Sequence, residues 1–260
     1  MNLKNKNYYT YINNKTTPIV FIHGVGLDRN MWTPQINFFR KYSTLTYDLL
    51  GHGKTPFNKD KIIIEDYTHQ LISLIEDLKI SKLHLVGFSI GSLIAMDFAA
   101  NFNNKLSSLT LIATTYKRNQ KQRQEVIDRV NLAKSNKPIS KLALKRWFTD
   151  EYIEKNPKIY EEFMRILTKE PEEQKNFIKA YELFAHYKDD IEKIKKINTR
   201  TLVMTGSIDP GSTPEMSKNL SSDLKNSQYI EINKGKHLCS IECSDDVNIN
   251  IEKFIINDPN

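Results

Sequence analysis

The sequence predicts an α/β fold: a mostly parallel sheet with helices on both faces and a helical cap inserted into it. Three observations predict it. Short apolar, β-branched runs alternate with stretches of helical spacing, joined by short turns. All nine glycines lie outside residues 114–198, and this reading puts each in a loop beside a turn or a candidate site element. Across 114–198, charge density climbs and apolar residues recur only at helical intervals. The expected division is a core of residues 1–114 and 199–260, with a cap of residues 115–198.

Residues 7–12 alternate weakly and read as a strand, with Asn13-Asn14-Lys15 as its turn. Pro18-Ile19-Val20-Phe21-Ile22 is a buried parallel strand that runs into His23-Gly24-Val25-Gly26. Residues 32–39 read as helix and 43–47 as strand, and Asp48 to Thr55 is a glycine-punctuated loop. Helical spacing over 64–78 carries Leu71, Leu74, Ile75 and Leu78 inward. Strands follow at 83–88 and 106–113, separated by a helix with Ile94, Ala95 and Phe98 on one face. In the cap, Val126 and Val130 with Leu142, Leu144, Trp147 and Phe148, then Phe163, Ile166 and Leu167, then Phe177, Tyr181 and Phe184 fall at helical intervals. Strands return at 201–205 and 228–232, and residues 242–256 read as the closing helix.

Composition narrows the classes. No apolar run of about 18 residues is present to form a transmembrane helix. Residues 1–10 are polar and lack the apolar core of a secretory signal, so cytoplasmic residence is expected. Cys239 and Cys243, four apart, fit no zinc ligand set and read as small residues near a helix start in a reducing compartment. The net charge of +7 accompanies an excess of Lys, Asn and Ile, a compositional bias rather than a binding patch. With no nucleic-acid motif, neither nucleic acid nor membrane is expected as a partner.

Chemistry concentrates at Gly87-Phe88-Ser89-Ile90-Gly91, between a strand and a helix. At this glycine frequency, G-x-S-x-G arises by accident on the order of 0.02 times in such a chain. To raise a serine hydroxyl above a sheet edge, the chain must reverse within about one residue. That turn strains the serine backbone and presses strand against helix, so the flanking positions must lack side chains. The plainer alternative is a strand-to-helix turn with a capping serine.

A serine nucleophile needs a base, and the base needs an orienting acid. Asp209 follows the strand at 201–205 and His237 follows the strand at 228–232, whereas nothing acidic follows the strand ending at Ala113. Ser89, Asp209 and His237 are therefore the candidate catalytic residues, in an order known for nucleophile-elbow proteins. Val25, in the loop after the second strand, and Ile90, next to the serine, are the candidate oxyanion-hole amides. His23 is expected to order its loop, His84 to be a satisfied core histidine, and His52 and His69 to be structural or exposed.

Together these motifs resemble the α/β-hydrolase-fold serine hydrolases over nearly the whole chain. Within them the chain is similar to 3-oxoadipate enol-lactonase-like carboxylesterases, on Met31-Trp32-Thr33-Pro34-Gln35, Lys145-Arg146-Trp147-Phe148-Thr149, and His237-Leu238 with Ile241-Glu242. The resemblance implies cofactor-free and metal-free hydrolysis of small-molecule esters or lactones. It also implies that Arg146 and Trp147 in the cap touch substrate; otherwise Trp147 and Phe148 are cap core. Ser92 departs from the second glycine of many relatives, as Leu49-Leu50 does from their commoner residues before the glycine turn. A serine in place of an aspartate nucleophile argues against dehalogenase and epoxide hydrolase branches.

Three other functions fit the same motifs. They are a carbon–carbon bond hydrolase of ring-cleavage products, an acyl-carrier-protein ester hydrolase, and a slow-turnover hydrolase-like receptor. The carrier reading would use the basic run Lys117, Arg118, Lys121, Arg123, Arg129, Lys134, Lys137, Lys141, Lys145 and Arg146, which otherwise is a solvated cap surface.

Overall fold

The computed structural model describes residues 7–135 and 139–256. Part of the polar N-terminal stretch (residues 1–6) and Lys137 of the basic run lie outside the described residues. The chain forms β1 (Tyr9–Ile12), β2 (Ile19–Ile22), α1 (Thr33–Phe38), β3 (Thr44–Tyr47), α2 (Ile64–Asp77), β4 (Leu83–Phe88), α3 (Ile90–Phe102) and β5 (Leu106–Ile112). Six helices follow: α4 (Gln120–Lys134), α5 (Ser140–Trp147), α6 (Asp150–Lys155), α7 (Pro157–Leu167), α8 (Pro171–His186) and α9 (Ile191–Lys195). The chain ends with β6 (Thr201–Gly206), α10 (Pro214–Asp223), β7 (Ser227–Ile232), α11 (Cys239–Glu242) and α12 (Ser244–Ile256).

The seven strands lie in the order β1-β3-β2-β4-β5-β6-β7. Among the described residues only β1 is antiparallel, pairing with β3 at one edge. The sheet is thus mostly parallel, as the sequence predicts. Alternate residues of its strands feed two separate clusters. Val20, Leu85, Leu111 and Val203 pack on the side of α2, α3 and α10. Phe21, Val86, Ile112 and Met204 pack with Trp32, Phe39 and α12 on the other side. Period-2 alternation therefore produces two buried faces, each needing helices to cover it.

After β2 the chain moves to β3, and after β4 it moves the opposite way to β5. The crevice beyond the carboxyl ends of β2 and β4 is the point where the strand order reverses, the place such sheets bind ligands. Among the described residues, no strand interrupts the segment between β5 and β6. Its helices do not make a core of their own: Phe177, Tyr181 and Phe184 join one sheet cluster, and Trp147, Phe148 and Phe163 join the other.

The closing helix expected over 242–256 is α12, which starts at Ser244; the short α11 before it was not read in the sequence and is separated from it at Cys243, whose φ of −120° and ψ of 42° leave the helical region. Helix α10 went unread in the sequence, although Thr213 caps it by accepting the Met216 N–H and a proline opens it. No helix among the described residues is long and apolar enough to cross a membrane.

The tightest approach in the fold is at the β4–α3 junction. A Cβ on Gly87 would lie 2.4 Å from the Gly91 carbonyl oxygen, and one on Gly91 would lie 2.4 Å from the Ile22 oxygen. Both obstacles are backbone, so no rotamer change relieves them. Gly91→Ala is expected to lower stability by at least about 3 kcal/mol. Denaturant unfolding of that variant checks it, and a loss below 1 kcal/mol would count against so tight a contact.

Candidate active site

Ser89 sits at the junction with φ 55° and ψ −116°, a conformation that an L-residue rarely adopts. Its amide donates to Ile112 O at 2.9 Å, which hangs the turn from the neighbouring strand. Its side chain makes no capping bond to α3, so the capping-serine alternative fails and the hydroxyl is left for other work. Ser92, the departure noted above, has a structural use. Its hydroxyl lies 2.7 Å from Gly87 O and accepts the Ile112 N–H at 3.2 Å, tying helix, elbow strand and neighbour together.

Asp209 and His237 arrive from the next two crossovers. Asp209 Oδ1 accepts the Gly211 and Ser212 amides at 2.8 and 3.0 Å, which holds the carboxylate fixed. Its Oδ2 meets His237 Nδ1 at 2.7 Å. Both residues are buried, and His237 shares with Ser89 the wall of a cavity of about 170 Å³. His237 also packs against the Phe88 ring, with centroids 5.1 Å apart.

Val25 lines the same cavity. Ile90 is the first residue of α3, where an amide has no intrahelical acceptor. Among the described residues, neither the Val25 nor the Ile90 N–H is used in a turn or loop backbone bond. The Val25 loop is fastened from below by His23, which is fully buried. Leu49 N–H donates to His23 Nε2 at 2.9 Å, so the ring proton is on Nδ1, which donates to Gly24 O at 2.8 Å. The expected loop-ordering role of His23 thus has a defined tautomer. His52 stacks edge-on against it at 5.2 Å, His84 contacts Ser108 Oγ at 2.8 Å, and His69 is exposed. Asp48 adds a second fastening, accepting the Arg29 amide at 3.0 Å and its guanidinium at 2.6 Å.

The basic run divides by direction. Lys121, Lys141 and Lys145 are exposed, and Lys117 pairs with Asp223 at 2.6 Å. Arg118, Arg129 and Arg146 instead line the cavity with Ser89 and His237. Tyr181 gathers two of them: its hydroxyl accepts Arg129 Nε at 3.2 Å and also serves Arg146. Burial, and then the charge of Arg129, draw the Arg146 guanidinium below its ordinary range. Trp147 lines the cavity and also packs edge-on to Phe163 at 6.3 Å, whereas Phe148 is wholly buried in the hydrophobic cluster it shares with the sheet. The inward arginines were not separable from the outward lysines in the sequence. Their only signal was spacing along α4 and α5, which does not say what each helix faces. Among the described residues, no group of three or more His, Cys, Asp or Glu side chains could hold a metal ion.

Burial pushes the His23 imidazole down to about 3, reinforced by Lys169 and Arg29 and opposed by its bond to Gly24. The unfolded chain takes a proton at this residue near pH 6.5, while the folded chain does not until far lower pH. Stability from this group is therefore full above pH 7 and lost as pH falls. Between pH 7 and 5, His23 should account for about 2 kcal/mol of lost unfolding free energy. His23→Asn should flatten that part of the profile; matching pH slopes in variant and wild type would refute the assignment.

A profile of the alpha/beta hydrolase fold matches residues 17–242. An Acinetobacter baylyi (E)-2-((N-methylformamido)methylene)succinate hydrolase is 29% identical over 247 residues, covering 93% of this chain and 91% of the relative. A 3-oxoadipate enol-lactonase of the same organism is 25% identical, covering 91% of this chain and 87% of the relative. The enol-lactonase of Burkholderia xenovorans superposes with a TM-score of 0.87 over 96% of each chain at 23% identity, a likeness of fold. The elbow, the sheet and these full-length likenesses agree: the chain belongs to the alpha/beta hydrolase fold family and is similar to its enol-lactonases.

Proposed function

We propose that the protein is a serine hydrolase of small carboxylic esters or lactones, working through Ser89, His237 and Asp209 and an acyl-enzyme. The observation that carries this reading is the 2.7 Å Asp209–His237 contact beside the strained Ser89, with both Ser89 and His237 on one cavity wall. His237 Nε2 takes the Ser89 proton as Oγ attacks the carbonyl carbon. The carbonyl oxygen becomes an oxyanion under the Val25 and Ile90 amides. Those donors are held in place before the charge develops, so little reorganisation opposes it. Asp209 keeps the proton of neutral His237 on Nδ1 and stabilises the imidazolium. His237 then protonates the leaving alkoxide, and water, deprotonated by the same imidazole, resolves the acyl-enzyme.

The cavity of about 170 Å³ is small beside the roughly 300–1,000 Å³ of drug-sized sites, which supports a compact substrate. Arg129 and Arg146, joined through Tyr181, support a carboxylate on that substrate close to the triad, and Trp147 supplies an apolar wall. The names of the full-length relatives, a substituted succinate hydrolase and an oxoadipate enol-lactonase, are in keeping with this chemistry.

Initial rates on p-nitrophenyl acetate, butyrate and octanoate test the reading. Acetate and butyrate should turn over and octanoate should be poor. Ser89→Ala should lose at least about 10⁴-fold in kcat, and Asp209→Asn about 10⁴-fold through the wrong tautomer. Full activity in folded Ser89→Ala would discard the nucleophile. A folded wild type inert toward every ester and lactone offered would discard the function.

A further inference from the structure

Two stretches singled out in the sequence, residues 145–149 and 237–242, are far apart in the chain and bonded to each other in the fold. Glu242, the last residue of α11, makes the joint. Its Oε1 accepts the Thr149 amide at 2.9 Å and also the Thr149 hydroxyl. Its Oε2 accepts the Lys236 amide at 3.1 Å, and Lys236 immediately precedes His237. Among the described residues, neither amide donates in a turn or loop backbone bond. The Thr149 hydroxyl in turn accepts the Tyr152 amide at 3.2 Å as the N-cap of α6. One carboxylate therefore holds the chain before His237 to the junction of α5 and α6.

Two more bonds run alongside. The Leu238 amide, just after His237, donates to Trp147 O at 3.0 Å. Lys236 Nζ donates to Lys145 O at 2.9 Å, in the last turn of α5, where a helix favours a cation. The Glu242 amide donates back to Leu238 O at 3.0 Å, which closes the turn that returns the carboxylate to Lys236. His237 is thus bracketed, with groups on both sides of it tied to residues 145–149. Its bond to Asp209 sets the rotation and tautomer of the ring. The backbone point from which the ring projects is set by these bracketing bonds instead. The same α5 carries Arg146 and Trp147 to the cavity wall.

We propose that Glu242 is a positioning residue for His237. Through the Lys236 amide it holds the imidazole where it serves Ser89, and through Thr149 it makes the α5–α6 junction and the base one unit. The proposal rests on the hydrolase reading above and adds to it a residue that does not line the cavity. An ionised carboxylate only accepts, so both of its oxygens suit the three donors gathered here. Bonds to an ionised acceptor are about twice as strong as neutral ones. The demand on position is steep, because a displacement of about 1 Å at a reacting group costs about 10²-fold in rate.

Glu242→Ala should lose about 10²-fold in kcat on p-nitrophenyl butyrate, with KM within about threefold of wild type. The ring ¹⁵N signals of His237 give a second readout that needs no turnover. In wild type they should report one tautomer, with the proton on Nδ1. In Glu242→Ala they should move toward the tautomer mixture of a free imidazole. Glu242→Gln keeps the length, but one end of its amide is a donor, so one of the two ties is lost. It should lose about tenfold in kcat and shift the ring signals part of the way, and it carries the test if Glu242→Ala does not fold. A merely structural carboxylate would lower the unfolding midpoint and leave kcat and the ring signals of the folded variant unchanged. Wild-type kcat or wild-type ring signals in a folded variant would therefore overturn the proposal, as would a wild-type ring already in a tautomer mixture. Failure of all esters with wild type would fall on the hydrolase reading; the ring signals still decide whether Glu242 positions His237.

Discussion

The structure depends on one steric constraint, the contact of backbone with backbone at Gly87 and Gly91. With no Cβ at either position, α3 lies directly on β4 and on the end of β2. Three consequences follow from this one approach. The chain reverses sharply enough to hold Ser89 at a positive φ. The first amide of α3, at Ile90, follows Ser89 directly. The Ser92 hydroxyl falls within reach of Gly87 O and the Ile112 amide, so the strained turn is bonded on both sides. Strain of this kind persists only where the surroundings over-determine it, and here they do so through three strands.

Around that junction the sheet and the helical segment divide the labour. Loops after the parallel strands supply Ser89, Asp209, His237 and Val25; the Ser89 amide donates to Ile112 O, and Asp209 Oδ1 accepts the Gly211 and Ser212 amides. His23 and Asp48 hold the Val25 loop with buried polar contacts rather than with apolar packing. The helices between β5 and β6 supply charge and shape instead. They also join the sheet's own hydrophobic clusters, so the cavity they roof is held by the packing that stabilises the fold. The arginines can be buried there because backbone carbonyls and the Tyr181 hydroxyl take up much of their bonding.

Much of the site was legible because its demands are local. A sharp turn needs glycines at fixed offsets, a buried strand needs a short apolar run, and a late acid and histidine must follow such strands. All of these are visible over five to ten residues. The misses have different causes. Helix α11 is four residues long, and its end at Cys243 is a backbone choice that apolar spacing does not register. Helix α10 carries few apolar residues, so its cap and proline were its main signals. Ser92 looked like a departure from pattern, and its bonding to a neighbouring strand is a long-range fact.

By itself the sequence determined the α/β alternation, the elbow and the order of serine, acid and histidine, because chain stereochemistry and hydrophobic periodicity act on neighbouring residues. Tertiary structure alone decided which basic side chains point inward. Lys121 and Arg118 are alike in formal charge and lie three apart, yet one is exposed and the other is 6% exposed beside Ser89's cavity. The difference rests on partners more than sixty residues away, the carbonyls of Phe184 and Tyr187 at the end of α8. No local pattern encodes the meeting of two helix ends, and that meeting turns a basic stretch into a wall of the cavity.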